Sequence, residues 1–100
     1  MANTLLSIQI LPRTEGGQSV IPYVDEAITL IKESRLPYRV APLETTIEGD
    51  LPELLNLVQR IHEKMIQLGC PSTLSQIKIS YNPTQGNEIG RNLVKYPDGQ

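Results

Sequence analysis

Two kinds of apolar periodicity follow one another in a fixed order along this sequence. Residues 5–11, LLSIQIL, alternate apolar and polar side chains, as a strand buried on one face does. Residues 19–36 and 50–69 instead repeat apolar side chains every three or four positions, which predicts two amphipathic helices. Residues 73–81, TLSQIKISY, alternate again. A chain with this order is restricted to folds in which two helices pack against a sheet.

Local signals indicate where these elements begin and end. Pro12 is expected to end the first strand, and Ser19 to cap the first helix through its hydroxyl. Asp50 is followed by Glu53 three residues later, a capping box that predicts the start of the second helix. Gly69 is well placed just past the end of that helix.

Two short strands, residues 38–41 and 45–48, lie between the helices and are joined by a three-residue turn, so we expect them to form a hairpin. The complete order β-α-β-β-α-β predicts an α+β, ferredoxin-like fold: an antiparallel four-stranded sheet with both helices on one face. Its first and third strands are central and its second is an edge. The chain of 100 residues has the length of a single domain, with a core over 5–82 and a tail over 83–100. In that tail, Ile89, Leu93 and Val94 could support a short docking helix.

The alternation also assigns side chains to the two faces of the predicted sheet. The helices are expected to cover the face that carries Leu6, Ile8, Ile10, Ile47, Ile77 and Ile79. The open face then carries Ser7, Gln9, Thr46, Glu48, Gln76, Lys78 and Ser80, with an apolar rim of Leu5, Leu11 and either Val40 or Ala41. An open polar face can simply be wet, since antiparallel sheets often keep one side in water. Alternatively, two copies packed face to face would enclose Glu48, which would then need a cation, a proton or an ion pair with Lys78.

Composition excludes several classes of function. The formal net charge is -2, and the aromatic residues are four Tyr with no Trp or Phe, so the basic surface of a nucleic-acid binder is missing and residues for base stacking are few. The N-terminal segment lacks the unbroken apolar run of a signal peptide or a membrane span. Cys70 is the one cysteine, which fits a reducing compartment, so the cytoplasm is expected.

Few side chains suggest catalysis or metal binding. His62 has no second His or Cys at metal-ligand spacing, and Cys70 has no basic neighbour, so both are interpreted as structural. The Gly16-Gly17 pair lacks the rest of a phosphate-binding loop. We therefore expect a protein that is not an enzyme and that has no metal and no resident cofactor.

The segment TTIEGD at residues 45–50 follows Pro42 and precedes a helix that contains Ile-His-Glu at 61–63. In this position it resembles the small thiamine-binding protein family, and the resemblance extends over about residues 5–82. It implies a ferredoxin-like subunit that assembles into dimers or tetramers through its sheets. It also implies binding of thiamine, or of its hydroxymethylpyrimidine moiety, without chemical transformation.

The residue chemistry is compatible with such a ligand. Glu48, Thr45 and Thr46 are the expected principal contacts at the open face, because a carboxylate suits the thiazolium cation and hydroxyls suit the aminopyrimidine edge. Further contacts are expected from Ser7 and Gln9 by hydrogen bonding and from Tyr38 by ring stacking. The alternative hypothesis is a structural or regulatory module that joins protein partners through its sheet face and has no small-molecule ligand.

Overall fold

The computed structural model describes residues 2–87 and 89, and its six elements follow the predicted order. They are β1 (Thr4–Arg13), α1 (Ile21–Glu33), β2 (Tyr38–Val40), β3 (Thr45–Gly49), α2 (Leu51–Gln67) and β4 (Ser72–Tyr81). The strands form one antiparallel sheet in the order β2-β3-β1-β4. The predicted α+β fold is therefore confirmed, with β1 and β3 in the centre and β2 at an edge.

The register of β1 with its two neighbours defines the two faces of the sheet. Leu6 lies opposite Ile47 of β3 and Ile79 of β4, and Ile8 lies opposite Thr45 and Ile77. Residues directly opposite each other share a face, so these side chains all point to the same side. Both helices pack on that side, which is called the covered face below; the other side is called the open face.

The core lies between the helices and the covered face. Its members are Leu6, Ile8, Ala27, Ile31, Ile47, Leu54, Leu57, Ile61, Met65 and Cys70. Each fully buried Leu, Ile or Met side chain stabilises the fold by roughly 1.5–3 kcal/mol relative to exposure. The buried stripe of α2 consists of Leu54, Leu57, Ile61 and Met65, and the neighbouring Val58 is only half-buried. Within the described residues, neither helix is long and apolar enough to cross a lipid bilayer.

Pro12 does not end β1, contrary to the sequence prediction. The Asn82 N–H donates to the Asn3 carbonyl at 2.7 Å, so the odd-numbered residues of β1 direct their backbone groups toward β4 and the even-numbered ones toward β3. Pairing with β3 stops at Ile8. Pro12 therefore directs its nitrogen toward a side without a neighbouring strand, and β1 loses no ladder hydrogen bond there.

The start of α2 also differs from the prediction. Asp50 is the N-cap residue, but its side chain makes no capping hydrogen bond, so the predicted capping box is wrong. The Leu51 N–H donates instead to Oδ1 of Asn3 at 3.1 Å, and the same oxygen accepts from the Thr4 hydroxyl at 2.7 Å. A residue 48 positions away in sequence thus caps the helix and ties it to the start of β1.

The other helix ends follow the local signals more closely. The Ser19 hydroxyl accepts from the Ile21 N–H at 3.2 Å, although the N-cap residue of α1 is Val20. Gly69 has φ +99° and follows the last turn of α2. Its N–H donates to the Ile66 carbonyl and that of Cys70 donates to the Met65 carbonyl, which is the Schellman pattern. Glycine is favoured at position 69 because an L side chain is strained at this φ.

The chain after β4 turns onto the open face. The Asn87 N–H donates to the Ala2 carbonyl at 2.8 Å, and its buried side-chain amide donates to the Ser80 carbonyl at 2.8 Å. The Ile89 N–H then donates to Oε1 of Glu48 at 3.0 Å. Asn87 and Ile89 therefore lie over Leu5, which pairs with both Ser80 and Glu48. The predicted docking helix involves Leu93 and Val94, which lie outside the described residues.

Replacing Asn3 is expected to destabilise the protein more than replacing Asp50. Asn3→Ala removes the acceptor of the Leu51 N–H, and loss of a helix cap costs about 1 kcal/mol. Asp50→Ala removes no capping bond and changes only the charge near the helix N-terminus. Urea unfolding of both variants measures the difference. A larger loss of unfolding free energy for Asp50→Ala would show that the local capping box operates instead.

Candidate functional site

The six side chains predicted to bind a ligand lie on both faces of the sheet. Thr46 lies opposite Ser7, and Glu48 lies opposite Leu5, on the open face. Gln9 shares that face because it is two residues beyond Ser7 on β1. Thr45 lies opposite Ile8, and Tyr38 lies opposite Ile47, on the covered face. The structure therefore brings Ser7, Gln9, Thr46 and Glu48 together and separates them from Thr45 and Tyr38.

The four side chains on the open face, called the open-face group, are half-buried and occupy the two central strands. The Ser7 hydroxyl is shielded from solvent and has no hydrogen-bond partner among the described residues. A buried hydroxyl without a partner is unusual, because desolvation is then uncompensated. The open-face group thus retains unused hydrogen-bonding capacity at Ser7.

Glu48 does not pair with Lys78, the ion pair considered from the sequence. Its carboxylate accepts from the Ile89 N–H, while Lys78 Nζ lies 3.6 Å from Oε1 of Glu44. Lys78 therefore reaches across β1 to the end of β3 that is distant from Glu48. The carboxylate of Glu48 already has one structural role, which is to hold residue 89 against the sheet.

The apolar rim of the open face is smaller than predicted. Leu5 is buried beneath Asn87 and Ile89. Val40 lies opposite Thr45 and therefore belongs to the covered face, which leaves Ala41 as the rim residue of that pair. Leu11 and Leu74, which lie opposite each other, are exposed at the far end. The apolar part of the open face is thus confined to the Leu11 end.

A concave site lies on the covered face, between α1 and the β2–β3 hairpin. It is a groove of about 220 Å³, called the hairpin groove below. Its lining consists of Ile8, Gln9, Ile10, Val24, Ala27, Ile28, Ile31, Val40, Ala41, Pro42, Leu43, Glu44, Thr45 and Ile61. Most of the wall is apolar, and few polar groups approach it. Apolar walls with a small number of polar groups are typical of small-molecule sites.

The hairpin geometry explains why this groove exists. β2 has only three residues, and the turn that follows is closed by a hydrogen bond from the Ala41 N–H to the Glu44 carbonyl at 3.0 Å. The turn residue Leu43 is largely exposed and does not pack into the core. On the opposite wall, α1 contributes the small side chain of Ala27 beside Val24 and Ile28. The hairpin and α1 therefore leave a gap between them.

Two polar side chains at the groove are available for a ligand. Thr45 is 7% exposed, and its hydroxyl forms no hydrogen bond with another described residue. Glu44 forms only the contact with Lys78, whose side chain is 80% exposed, so solvent weakens that ion pair. The groove thus combines a free hydroxyl with a carboxylate that a ligand cation could engage.

The sequence prediction included Thr45 and Gln9, which both line the groove, but missed Glu44 and the α1 wall. Glu44 was assigned only to a turn, and Val24 and Ile28 only to the core. The alternation of β3 could have indicated that Thr45 shares a face with Ile47. Nothing in the sequence gives the distance between the hairpin and α1. Tyr38 lies on the covered face and is partly exposed, but it does not line the groove.

The side chains interpreted as structural have clear packing roles. His62 Nδ1 donates to the Val58 carbonyl at 2.8 Å, which leaves Nε2 as the acceptor for the Ser75 hydroxyl at 2.9 Å. This bond links α2 to β4. Cys70 is buried in the core. In the part of the chain that the structure describes, no group of three His, Cys, Asp or Glu side chains could hold a metal ion.

Comparison with known proteins assigns the chain to a family. Residues 6–96 match the family model described as thiamine-binding protein. The UPF0045 protein CPE1503 of Clostridium perfringens is 33% identical over 89 residues, covering 86% of this chain and 93% of that protein.

Solved structures give the same relationship. A domain of unknown function, DUF77, from Bacillus cereus has a TM-score of 0.87 and 32% identity, covering 95% of this chain and 90% of that one. A Thermotoga maritima structure has a TM-score of 0.82 and 28% identity, with coverage of 94% and 98%; its description is that of a candidate thiamine biosynthesis/salvage protein. Since the family model spans most of the sequence and the fold is shared along nearly the whole chain, this protein is a member of the thiamine-binding protein family.

Proposed function

We propose that this protein binds thiamine or its hydroxymethylpyrimidine moiety in the hairpin groove, without transforming it. The observation that carries this proposal is the largely apolar groove lined by Thr45, a buried residue whose hydroxyl has no hydrogen-bond partner among the described residues. Family membership and the description of the Thermotoga maritima relative support a thiamine-related ligand.

The size of the groove suits one heteroaromatic ring better than a large cofactor. Pockets for drug-sized ligands have volumes of about 300–1,000 Å³, and this groove is smaller, at about 220 Å³. The pyrimidine ring would contact the apolar walls formed by Val24 and Ile28 on α1 and by Val40 on the hairpin. The rest of the ligand would extend through the open side of the groove.

The Thr45 hydroxyl and the Glu44 carboxylate suit the two polar parts of thiamine, the aminopyrimidine edge and the thiazolium cation. The Thr45 hydroxyl can donate to a ring nitrogen of the aminopyrimidine or accept from its amino group. Glu44 lines the groove, and its carboxylate, which lies beside Lys78 on the open face, can face the thiazolium cation after it leaves Lys78. A charge pair at ~4 Å is worth about 1 kcal/mol in water and about 4 kcal/mol at an effective dielectric constant of 20. The contribution of Glu44 therefore depends on how far the bound ligand excludes water.

The open-face group remains the alternative location for the same ligand. Ser7, Gln9, Thr46 and Glu48 would contact the ligand where the open faces of two copies meet. The unpartnered Ser7 hydroxyl favours this location. The contact of Glu48 with the Ile89 N–H, which already occupies one carboxylate oxygen, favours the hairpin groove instead.

A module without a small-molecule ligand is the second candidate function. The exposed pair of Leu11 and Leu74 on the open face favours it, because an apolar patch on a sheet is suited to a protein partner. Absence of binding by a folded protein to either thiamine or hydroxymethylpyrimidine would support this candidate.

Thr45 and Thr46 allow the two ligand locations to be compared with one type of substitution. We expect Thr45→Val to weaken binding of hydroxymethylpyrimidine about fivefold, because one hydrogen bond of about 1 kcal/mol is lost. Thr46→Val removes the same hydroxyl from the adjacent residue on the open face and should leave the affinity unchanged. Isothermal titration of wild type and both variants measures the dissociation constants, and thermal unfolding checks that each variant is folded. Weaker binding by Thr46→Val alone would place the ligand on the open face.

The two carboxylates make a second comparison between the same locations. Glu44→Gln should weaken binding of cationic thiamine about five- to tenfold, because the charge attraction is lost. Binding of the neutral hydroxymethylpyrimidine should not change. Glu48→Gln is the matched control, since its amide oxygen can still accept from the Ile89 N–H. Thiamine titrations that show a loss for Glu48→Gln and none for Glu44→Gln would contradict the assignment to the groove.

A further inference from the structure

β1 extends beyond its neighbour β3 at the end of the sheet where the hairpin groove lies. The even-numbered residues of β1 direct their backbone N–H and C=O groups toward β3. The last of them to pair with that strand is Ile8, which lies opposite Thr45. Ile10 is the next, and it lines the hairpin groove. Its two backbone groups therefore point past the end of β3, toward the groove.

The hairpin turn leaves these two groups of Ile10 without a partner. If β3 continued in the same register, Leu43 would lie opposite Ile10. The hydrogen bond from the Ala41 N–H to the Glu44 carbonyl closes a turn instead, and Leu43 is 77% exposed. On the other side of β1, β4 receives the backbone groups of the odd-numbered residues only. Among the described residues, the N–H and C=O of Ile10 thus have no hydrogen-bond partner.

Pro12 limits how much of this edge a ligand can use. It is the next residue of β1 whose backbone is directed to the same side, and proline has no N–H. The unpaired stretch therefore offers one donor, at Ile10, together with the acceptor of the same residue. A peptide that added a strand here would need a series of donors and acceptors. A small heterocycle needs only the one pair.

We propose that the backbone N–H and C=O of Ile10 bind the edge of a heterocycle in which a ring nitrogen lies beside an amino group. The N–H donates to the ring nitrogen, and the C=O accepts from the amino group. The aminopyrimidine of thiamine has such an edge. This inference rests on the proposed function, because it concerns the same ligand in the same groove. It adds the groups that orient the ring and leaves the Thr45 hydroxyl for the other ring nitrogen.

A donor beside an acceptor distinguishes between closely similar ligands. In the oxo analogue of hydroxymethylpyrimidine, an oxygen replaces the amino group and the adjacent ring nitrogen carries a hydrogen. Its pattern of donor and acceptor is reversed, so its N–H would face the N–H of Ile10 and its oxygen would face the carbonyl. Groups that face each other in this way stay unpaired, which is costly in a site shielded from water. The wild type should therefore bind hydroxymethylpyrimidine more tightly than this analogue of the same shape.

Isothermal titration of the full-length protein with these two neutral ligands tests the inference. Ile10→Pro removes the N–H without removing a ladder hydrogen bond, as Pro12 does two residues later. It should weaken binding of hydroxymethylpyrimidine about fivefold and leave binding of the oxo analogue undiminished. Ile10→Ala is the matched control, because it shortens the side chain and keeps the N–H. The ratio of the two dissociation constants should fall in Ile10→Pro alone, and a wild-type ratio in that variant would overturn the inference.

Amide hydrogen exchange of the wild type is a second measurement, which decides the question if Ile10→Pro does not fold. Without ligand, the amide of Ile10 should exchange much faster than that of Ile8, which donates to β3. Saturation with hydroxymethylpyrimidine should slow exchange at Ile10. Slow exchange at Ile10 in the ligand-free protein would show that another part of the chain or a second copy occupies this edge. That result, or fast exchange in the saturated protein, would overturn the inference.

The proposed function and this inference fail in different ways. If the folded wild type binds neither thiamine nor hydroxymethylpyrimidine, the proposed function is wrong and the inference is wrong with it. If the wild type binds hydroxymethylpyrimidine and Thr45→Val weakens that binding, the groove is the site. A wild-type ratio of dissociation constants in Ile10→Pro would then contradict only the role of the Ile10 backbone.

Discussion

β1 pairs with β3 and β4 in a single register that determines the position of nearly every other element. Leu6 lies between Ile47 and Ile79. A shift of β1 by one residue against these strands would place its buried side chains on the opposite face. The covered face, and therefore the packing of α1 and α2, depends on this alignment. Asn3 extends the same constraint to α2, because its side chain accepts from the Leu51 N–H just before β1 begins. Strand pairing and helix position are thus fixed together.

Much of this arrangement could be predicted from the sequence because it depends on side-chain periodicity. Alternation in β1 and β4 places Ile8 and Ile77 on the covered face, and the structure agrees. Predictions of helix caps and strand ends from adjacent residues were less successful, because the structure depends there on residues distant in sequence. Asp50 has the sequence context of a helix cap, yet Asn3 occupies that role from 48 residues away. Pro12 was expected to end the strand, but it removes no ladder hydrogen bond because β3 does not extend beside it.

The candidate site was harder to predict for a related reason. A pattern of residues indicates which face a side chain is on, but it does not give the separation between two elements. The hairpin groove lies between the turn at Pro42 and Leu43 and α1, and Leu43 is too exposed to fill it. Glu44 lines the groove because it is the last residue of that turn. Its partner Lys78 belongs to β4, the other edge strand. The contact of Glu48 with the Ile89 N–H is likewise invisible to periodicity, because residue 89 belongs to no alternating segment.

The two edge strands differ in length, so the two edges of the sheet offer different surfaces. β2 is so short that the hairpin beyond it is free to stand apart from α1, which produces a concave site beside Thr45. β4 is long enough to pair with all of β1, and its outer side is therefore straight and regular over the same length. A concave site favours a small ligand, whereas a regular edge favours another strand. The central strands β3 and β1 separate these two edges, yet the ion pair of Lys78 with Glu44 spans β1 and links a side chain of β4 to the hairpin beside the groove.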